Sequence, residues 1–274
     1  MTAREALVMI KERLSSVSDE AAAEARLIVS AATGLPAGLL RLEERALTPE
    51  EEGFIVSAVE RRLRREPLQY VLGEWSFMGL DFFVSPAALI PRQDTETLCE
   101  EALRLIGERE YRSVLDICTG TGCIATAVKR LAEEKGREIS VEASDISPDA
   151  VALAKENAEK NGVNVAFRCA DLFGGAGKYD LITANPPYIP DEDMEKLAPE
   201  LAFEPRLALC GGEDGLDLYR RIAAEAEEHI LPGGALLLEV GAGEAEAVVS
   251  LFPERETAVT EDLNGVRRVV RIDF

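Results

Sequence analysis

Ser113-Val114-Leu115-Asp116-Ile117-Cys118-Thr119-Gly120-Thr121-Gly122-Cys123-Ile124-Ala125 reads as an apolar strand that runs through a glycine turn into a helix. The two glycines let the backbone turn tightly and approach a ligand before the helix begins. Outward from this segment, apolar runs at 113–117, 139–144, 165–169, 179–184, 234–240 and 266–272 are separated mostly by helical patterns. That alternation predicts a mainly parallel sheet with helices on both faces, an α/β architecture. Ligands of such sheets bind beyond the carboxyl ends of the strands, at the point where the strand order reverses. The informative residues are therefore sought after each strand.

After the first strand, Gly120-x-Gly122-x-x-Ala125 fits a loose dinucleotide fingerprint as well as other nucleotide cofactors. After the second, Asp145 is placed to bind ribose hydroxyls, which serves NAD and S-adenosylmethionine equally. After the third, Asp171 can accept from an adenine amino group while Leu172 packs on the ring. Each acid alone reads equally as a helix cap or a loop charge. Their recurrence after consecutive strands favours a cofactor site. The fourth strand, Tyr179–Ala184, ends in Asn185-Pro186-Pro187-Tyr188, where the prolines forbid further ladder pairing. The Asn185 side-chain oxygen and the carbonyl after it can both accept from one NH2 group, and the Tyr188 ring can stack on a planar system. A hydride-transfer site has no use for these residues. Methyl transfer to a planar nitrogen does, whereas a plain diproline turn is the bland alternative.

Composition narrows the acceptor. Of 274 residues, 30 are basic and 51 acidic, for a net charge of −21. Residues 1–90 hold 10 basic and 14 acidic residues and residues 91–274 hold 20 and 37, so most of the negative charge lies in the second part. An acidic surface repels phosphate backbones, which argues against a duplex DNA substrate. The basic cluster Arg61-Arg62-Leu63-Arg64-Arg65 is expected to be a solvated helix face. Five cysteines form no CxxC pair and only one histidine is present, so neither a metal site nor a disulfide framework is expected. No apolar stretch reaches the roughly 18 residues of a membrane helix. The amino terminus runs into a charged amphipathic pattern rather than a leader, so no membrane partner and a cytoplasmic location are expected.

Residues 1–73 are rich in Ala, Leu, Glu and Arg with apolar residues at helical spacing, as in Leu7, Ile10 and Leu14. Thr48 followed by Pro49, Glu50 and Glu51 is a helix start, and four or five helices are expected. Glu74–Val84 is aromatic and β-branched with Gly79 at a turn, which predicts a β-hairpin joining two domains. The expected organisation is a helical domain over 1–73, a hairpin linker over 74–90 and an α/β domain over 91–274.

The chain resembles the peptide chain release factor N5-glutamine methyltransferases (the HemK/PrmC family). The resemblance rests on Glu66–Gly73, on Leu89-Ile90-Pro91-Arg92 with Thr95-Glu96, on the glycine loop and on Asn185–Tyr188. It continues through Glu204-Pro205-Arg206-Leu207-Ala208-Leu209 and Gly211–Leu216. It implies a Rossmann-like class I S-adenosylmethionine-dependent methyltransferase domain with a seven-stranded sheet. The implied cofactor residues are Cys118, Thr119, Gly120, Thr121, Gly122, Asp145, Asp171, Leu172 and Asn185, and the implied catalytic residues are Asn185, Pro186, Pro187 and Tyr188. The implied substrate is the glutamine of the Gly-Gly-Gln motif of bacterial class-I release factors, with the helical domain as recognition module and a monomer as the working form. The related ribosomal-protein glutamine methyltransferases, an adenine-N6 DNA methyltransferase and a noncatalytic S-adenosylmethionine-binding adaptor are the competing readings.

Four further points follow from the residues. Cys118 stands where such loops often have glycine, and tolerance is expected because backbone groups bind there. His229 is expected to meet free carbonyls at a helix end. Asp191-Glu192-Asp193 is expected to cap and solubilise. Arg92, Thr95 and Glu96 either shape the substrate channel or, in the case of Arg92, form a structural salt bridge.

Overall fold

Apolar residues three and four apart build the first part of the chain. In the computed structural model, which describes residues 1–40 and 45–274, they form α1 (Ala3–Leu14), α2 (Ala21–Thr33), α3 (Pro49–Leu63) and α4 (Leu68–Leu72). Ile10 and Leu14 pack with Ile28, Val29, Ile55 and Val59 in one core. α3 starts where Thr48 promises: its Oγ1 accepts from the Glu51 N–H at 3.2 Å, and Glu51 Oε2 accepts from the Thr48 N–H at 2.7 Å. Thr2 and Glu5 repeat this capping box on α1. These helices and Ala198–Phe203 make one unit of the chain; Trp75–Leu197 and Glu204–Phe274 make the other.

The arginine cluster departs from its expected role. Arg62 is buried at 3 % exposure, not solvated. Its Nε and Nη2 donate to both Glu24 oxygens at 2.8 and 3.0 Å, and Glu200 lies 3.6 Å from Nη2. Arg61 reaches the Tyr70 and Val71 carbonyls at the end of α4. Only Arg64 is exposed. The cluster spans the C-terminal turn of α3 and the residues after it, where cations favour the helix dipole. Helical spacing of charge does not distinguish such an interior cluster from a wet face.

From the last residue of the first stretch of the helical unit, Glu74–Phe77 (β1) and Leu80–Phe83 (β2) form a hairpin. Its two-residue turn has positive φ at Met78 and Gly79, 51° and 76°, the primed geometry that matches strand twist. Then follow α5 (Glu96–Arg109), β3 (Ser113–Ile117), α6 (Cys123–Glu134), β4 (Ser140–Asp145), α7 (Pro148–Lys160), β5 (Ala166–Cys169) and β6 (Tyr179–Ala184). α8 (Asp217–His229), β7 (Ile230–Glu239), α9 (Ala245–Val249), β8 (Thr257–Glu261) and β9 (Arg267–Asp273) complete the chain. The sheet has seven strands in the order β5-β4-β3-β6-β7-β9-β8. It is parallel except for β9, which runs antiparallel to both neighbours. β7 begins four residues before its expected apolar run, because Tyr179 pairs with Ile230 ahead of a register shift. β8 has no place among the apolar runs because it is an edge strand with half-buried residues.

Alternate residues of the central strands feed two cores. Val114, Leu181, Leu237 and Val269 face α5 and α6. Leu115, Ile182, Leu236, Leu238 and Val270 face α8 and α9. The order reverses between β3 and β6, so the switch point lies beyond Ile117 and Ala184.

Replacing Arg62 by Met removes one side of a buried pair and strands the Glu24 charge. Such losses cost about 3–5 kcal/mol, and equilibrium urea unfolding should show this; a variant as stable as the parent would refute the structural role given to Arg62.

Candidate active site

The residues that follow the strands gather at the switch point, around one cleft. Cys118, Thr119, Gly120 and Thr121 line it after β3, Asp145 after β4, and Asp171 and Leu172 after β5. Asn185 and Pro187 line it after β6, with Arg92 and Thr95 from the chain before α5. Gly122, Pro186, Tyr188 and Glu96 are not among the lining residues.

The glycine loop is shaped by three positive φ angles: 56° at Cys118, 53° at Gly120 and 75° at Gly122. Cys118 thus bears a left-handed conformation that is costly for a side chain. Burial pushes its thiol pKa up, which favours the neutral form. A Cβ on Gly120 would come no nearer than 3.8 Å to Ala88, which leaves its backbone open to the cleft. Gly122 does different work: a Cβ there would meet the Ala154 Cβ of α7 at 2.8 Å. Its bareness lets α6 start against α7.

Asp145 Oδ2 accepts from the Gly120 N–H and Oδ1 from the Ser147 N–H, both at 2.9 Å, so the carboxylate both braces the loop and faces the cleft. Burial raises its pKa while these backbone bonds pull it back. Asp171 is half exposed and ion-paired with Arg221 of α8 at 2.8 Å. Leu172 is buried with a φ of 47°, and its carbonyl accepts from Ser144 Oγ at 2.9 Å.

The segment after β6 is held by backbone. The Ile189 N–H donates to the Leu209 carbonyl and the Gly211 N–H to the Ile189 carbonyl, each at 2.9 Å. A Cβ on Gly215 would fall 2.4 Å from the Tyr188 carbonyl oxygen, and one on Gly211 would fall 2.8 Å from the Tyr188 Cα. The glycines of Gly211–Gly215 are therefore what lets that segment press on the Asn185–Tyr188 turn. The Tyr188 ring lies against Gly241, and burial pushes its phenol up to about 12. Asn185 Nδ2 donates to Thr95 Oγ1 at 3.3 Å.

Several supporting groups were not singled out in the sequence. Asp116, fully buried, accepts from Thr119 Oγ1 at 2.5 Å and from Thr183 Oγ1 at 2.7 Å, joining the glycine loop to β6. Glu204 accepts from the Ile90 N–H at 2.9 Å and pairs with Arg92, which makes the structural salt bridge for Arg92. Asn157 of α7 donates to the Phe83 and Thr121 carbonyls at 3.1 and 2.9 Å, and its Oδ1 accepts from the Phe83 N–H at 2.7 Å. Glu239 is buried at the end of β7. A charge inside or ending an apolar strand run, as at Asp116 and Glu239, is the signal that could have found two of them.

Other residues take local roles. Glu96 Oε1 accepts from the Met78 N–H at 2.7 Å, which anchors the hairpin turn. His229 ends α8, but its Nδ1 meets the Gly177 carbonyl at 3.0 Å and its ring stacks on Phe173, 4.6 Å between centroids. The loop before β6, rather than its own helix, satisfies it. Asp191 opens a 3₁₀ turn and pairs with Arg206, and Asp193 pairs with Lys196. Among the described residues no group of three or more His, Cys, Asp or Glu side chains could hold a metal ion, and no helix is long and apolar enough to cross a membrane.

A methyltransferase small domain model matches residues 97–204 and a PrmC N-terminal domain model matches residues 5–73. A release factor glutamine methyltransferase of Geobacter sulfurreducens is 45 % identical over 92 % of this chain and 89 % of its own length. The chain belongs to the release factor glutamine methyltransferase family. Another member, from Cereibacter sphaeroides, is 41 % identical over 98 % of both chains. The crystal structure of a methyltransferase from Pyrococcus furiosus, 19 % identical, covers 82 % of this chain and 98 % of its own with a TM-score of 0.50, a likeness of fold. This release factor glutamine methyltransferase family member is thus a methyltransferase with the α/β fold that its strand-end residues call for.

Two outcomes follow. Gly122→Ala forces a side chain into the α6–α7 contact at a left-handed φ. Overpacking of this kind costs about 1–3 kcal/mol, which a lower urea midpoint should report; an unchanged midpoint would contradict the contact. Burial raises Asp116 to about 7, so the folded chain holds this proton more tightly than the unfolded one. The group then favours folding fully below about pH 4, and that advantage is lost as pH rises through about 7. Asp116→Asn should flatten the fall in unfolding free energy between about pH 5 and about pH 8, leaving the part due to Glu239. An unaltered slope would remove Asp116 from the account.

Proposed function

We propose that the chain transfers a methyl group from S-adenosylmethionine to the side-chain amide nitrogen of the glutamine in the Gly-Gly-Gln motif of class-I release factors. The observation that carries the proposal is the convergence on one cleft of Asp145, the open Gly120 backbone and Asn185, from three strand ends. The residues fit the cofactor. Asp145 has lone pairs beyond its two backbone bonds for a ribose diol, and the buried Thr121 Oγ1 makes no hydrogen bond to nitrogen or oxygen. Asp171 and Leu172 line the same cleft, where they could hold an adenine.

When bound, S-adenosylmethionine supplies an electrophilic sulfonium methyl and departs as S-adenosylhomocysteine, so no metal is needed. The work left to the protein is positional. A carboxamide nitrogen is a poor nucleophile because its lone pair is delocalised into the carbonyl. Asn185 Oδ1 and the Pro186 carbonyl accept the two N–H groups and fix the nitrogen with its emerging lone pair toward the methyl. Pro186 and Pro187 keep those acceptors from drifting. Orientation of this kind lowers a barrier by on the order of 7–11 kcal/mol. The amide proton is released to solvent once the new N–C bond has formed. Tyr188, braced against Gly241, sets the shape of the turn from behind. The helical unit Met1–Glu74 with Ala198–Phe203 carries no chemical group of this kind and is assigned to recognising the protein substrate in the cytoplasm, with the enzyme acting as a monomer.

Labelled S-adenosylmethionine offered with a release factor, with a ribosomal protein and with adenine-containing DNA should label only the release factor, at its Gly-Gly-Gln glutamine. Label in DNA, or elsewhere in protein, would overturn the assignment. Asn185→Ala should reduce turnover by about 10²-fold or more with cofactor affinity nearly intact, whereas Asp145→Ala should weaken cofactor binding first. Equal losses of binding and turnover in Asn185→Ala would place that residue on the cofactor instead.

A further inference from the structure

An asparagine that must present its oxygen to a substrate faces a difficulty, because its two amide ends have nearly the same shape. Something must hold Nδ2 away from the acceptor site. Glu239 is suitably placed. Ala184 pairs with Leu238, so Asn185 and Glu239 follow level with each other at the ends of adjacent parallel strands. Asp116, Thr183, Asn185 and Glu239 fall on the sheet face shared by Leu181 and Leu237, under α5 and the Thr95 turn that precedes it.

Glu239 is only 2 % exposed, and no ion pair reaches it among the described residues. Arg268 of β9 is taken up by Asp94 at 3.0 Å and Asp262 at 3.3 Å. The Thr95 hydroxyl and the Asn185 amide, bonded to each other at 3.3 Å, both act to lower the Glu239 pKa, yet Oε2 is within bonding distance of no donor. A buried carboxylate oxygen left without a partner is expensive for stability alone and calls for another reason.

We propose that Glu239 is a positioning residue for methyl transfer. Its carboxylate, acceptor-only, draws the Thr95 hydroxyl hydrogen and the Asn185 Nδ2 toward itself, so that Thr95 Oγ1 accepts from Nδ2 and Asn185 Oδ1 turns to the substrate amide. This rests on the acceptor role given to Asn185 above. The charge matters as well as the shape. A protonated Glu239 gains a donor that can bond Oδ1 and release the amide to its flipped orientation.

Burial raises Glu239 to about 7, Arg268 lowers it and Asp94 raises it. Cys99 on α5, Cys123 on α6, Tyr188 and, from the other side of the sheet, Tyr219 on α8 lie within electrostatic reach of its charge, and burial raises the pKa of each. The ionised form, and with it the productive Asn185 orientation, is thus gained as pH rises through about 7.

The isosteric Glu239→Gln tests this on the full chain, with Thr95→Val as a second variant. Glu239→Gln should lower kcat by about 10²-fold with an unchanged cofactor Kd, no loss in melting temperature and loss of the limb of kcat near pH 7. Thr95→Val should lower kcat similarly, and combining the two should add little. Glu239→Asp, which keeps the charge, should restore part of the activity and the pH limb. Parental kcat and pH profile in Glu239→Gln, when Asn185→Ala is inactive, would overturn the inference alone. Parental turnover in Asn185→Ala would instead remove the reading beneath it. A fall in melting temperature that tracks the loss of kcat across the variants would reduce Glu239 to a structural role and also overturn the inference.

Discussion

One buried carboxylate joins the two halves of the site. Asp116 lies opposite Thr183 in the register of β3 and β6, and it accepts from that threonine and from Thr119 at the head of the glycine loop. The glycine loop that lines the cleft and the strand that leads to Asn185 are therefore tied to one another through two short bonds at the switch point. Burying an ionisable group so completely is unfavourable, and its hydroxyl partners offset only part of that cost. It adds a side-chain tie to the backbone pairing of β3 and β6 and fixes the Thr119 hydroxyl.

A second constraint acts from outside the sheet and uses almost no side-chain chemistry. The acceptor turn is prolines on one side and glycines on the other. Pro186 and Pro187 remove torsional freedom, and the bare Cα atoms of Gly211 and Gly215 allow another backbone to lie on Tyr188 at distances that no Cβ would permit. Rigid carbonyls suit a reaction in which the protein must orient a neutral, weakly nucleophilic amide and supplies no strong base. Glu204 extends the same framework to the chain before α5 by holding Ile90 and Arg92.

The strand-and-helix alternation, the hairpin turn at Gly79 and the cap at Thr48 were open to reading because each is local: a period, a turn residue or a hydroxyl three residues before an acid. Strand-end residues could be sought because topology dictates where a doubly wound sheet binds. The edge strand Thr257–Glu261 lacks a continuous apolar run since one side of it is partly wet. Arg62 reads as surface charge until its partner Glu24, 38 positions earlier in the chain, closes on it. Asn157 gave no signal for the same reason, as its partners are backbone groups far away in sequence, and Glu204 was visible only as part of a motif, its partners Ile90 and Arg92 lying more than a hundred positions earlier. His229 shows the subtler limit: its position at a helix end was right and its carbonyl partner came from elsewhere.

The helical unit is not one stretch of chain, since Ala198–Phe203 belongs to it. Glu200 from that short return completes the arginine network at Arg62 and Arg65. A fragment cut after Glu74 would lack one of the acids that neutralise those arginines, and the gap would sit at a cation that is almost wholly buried. A transplant of this unit into another chain would therefore have to carry both segments. The return begins ten residues after Tyr188 and ends just before Glu204, so the segment that completes the helical unit is bracketed in the chain by the turn after β6 and by the glutamate that holds Ile90 and Arg92.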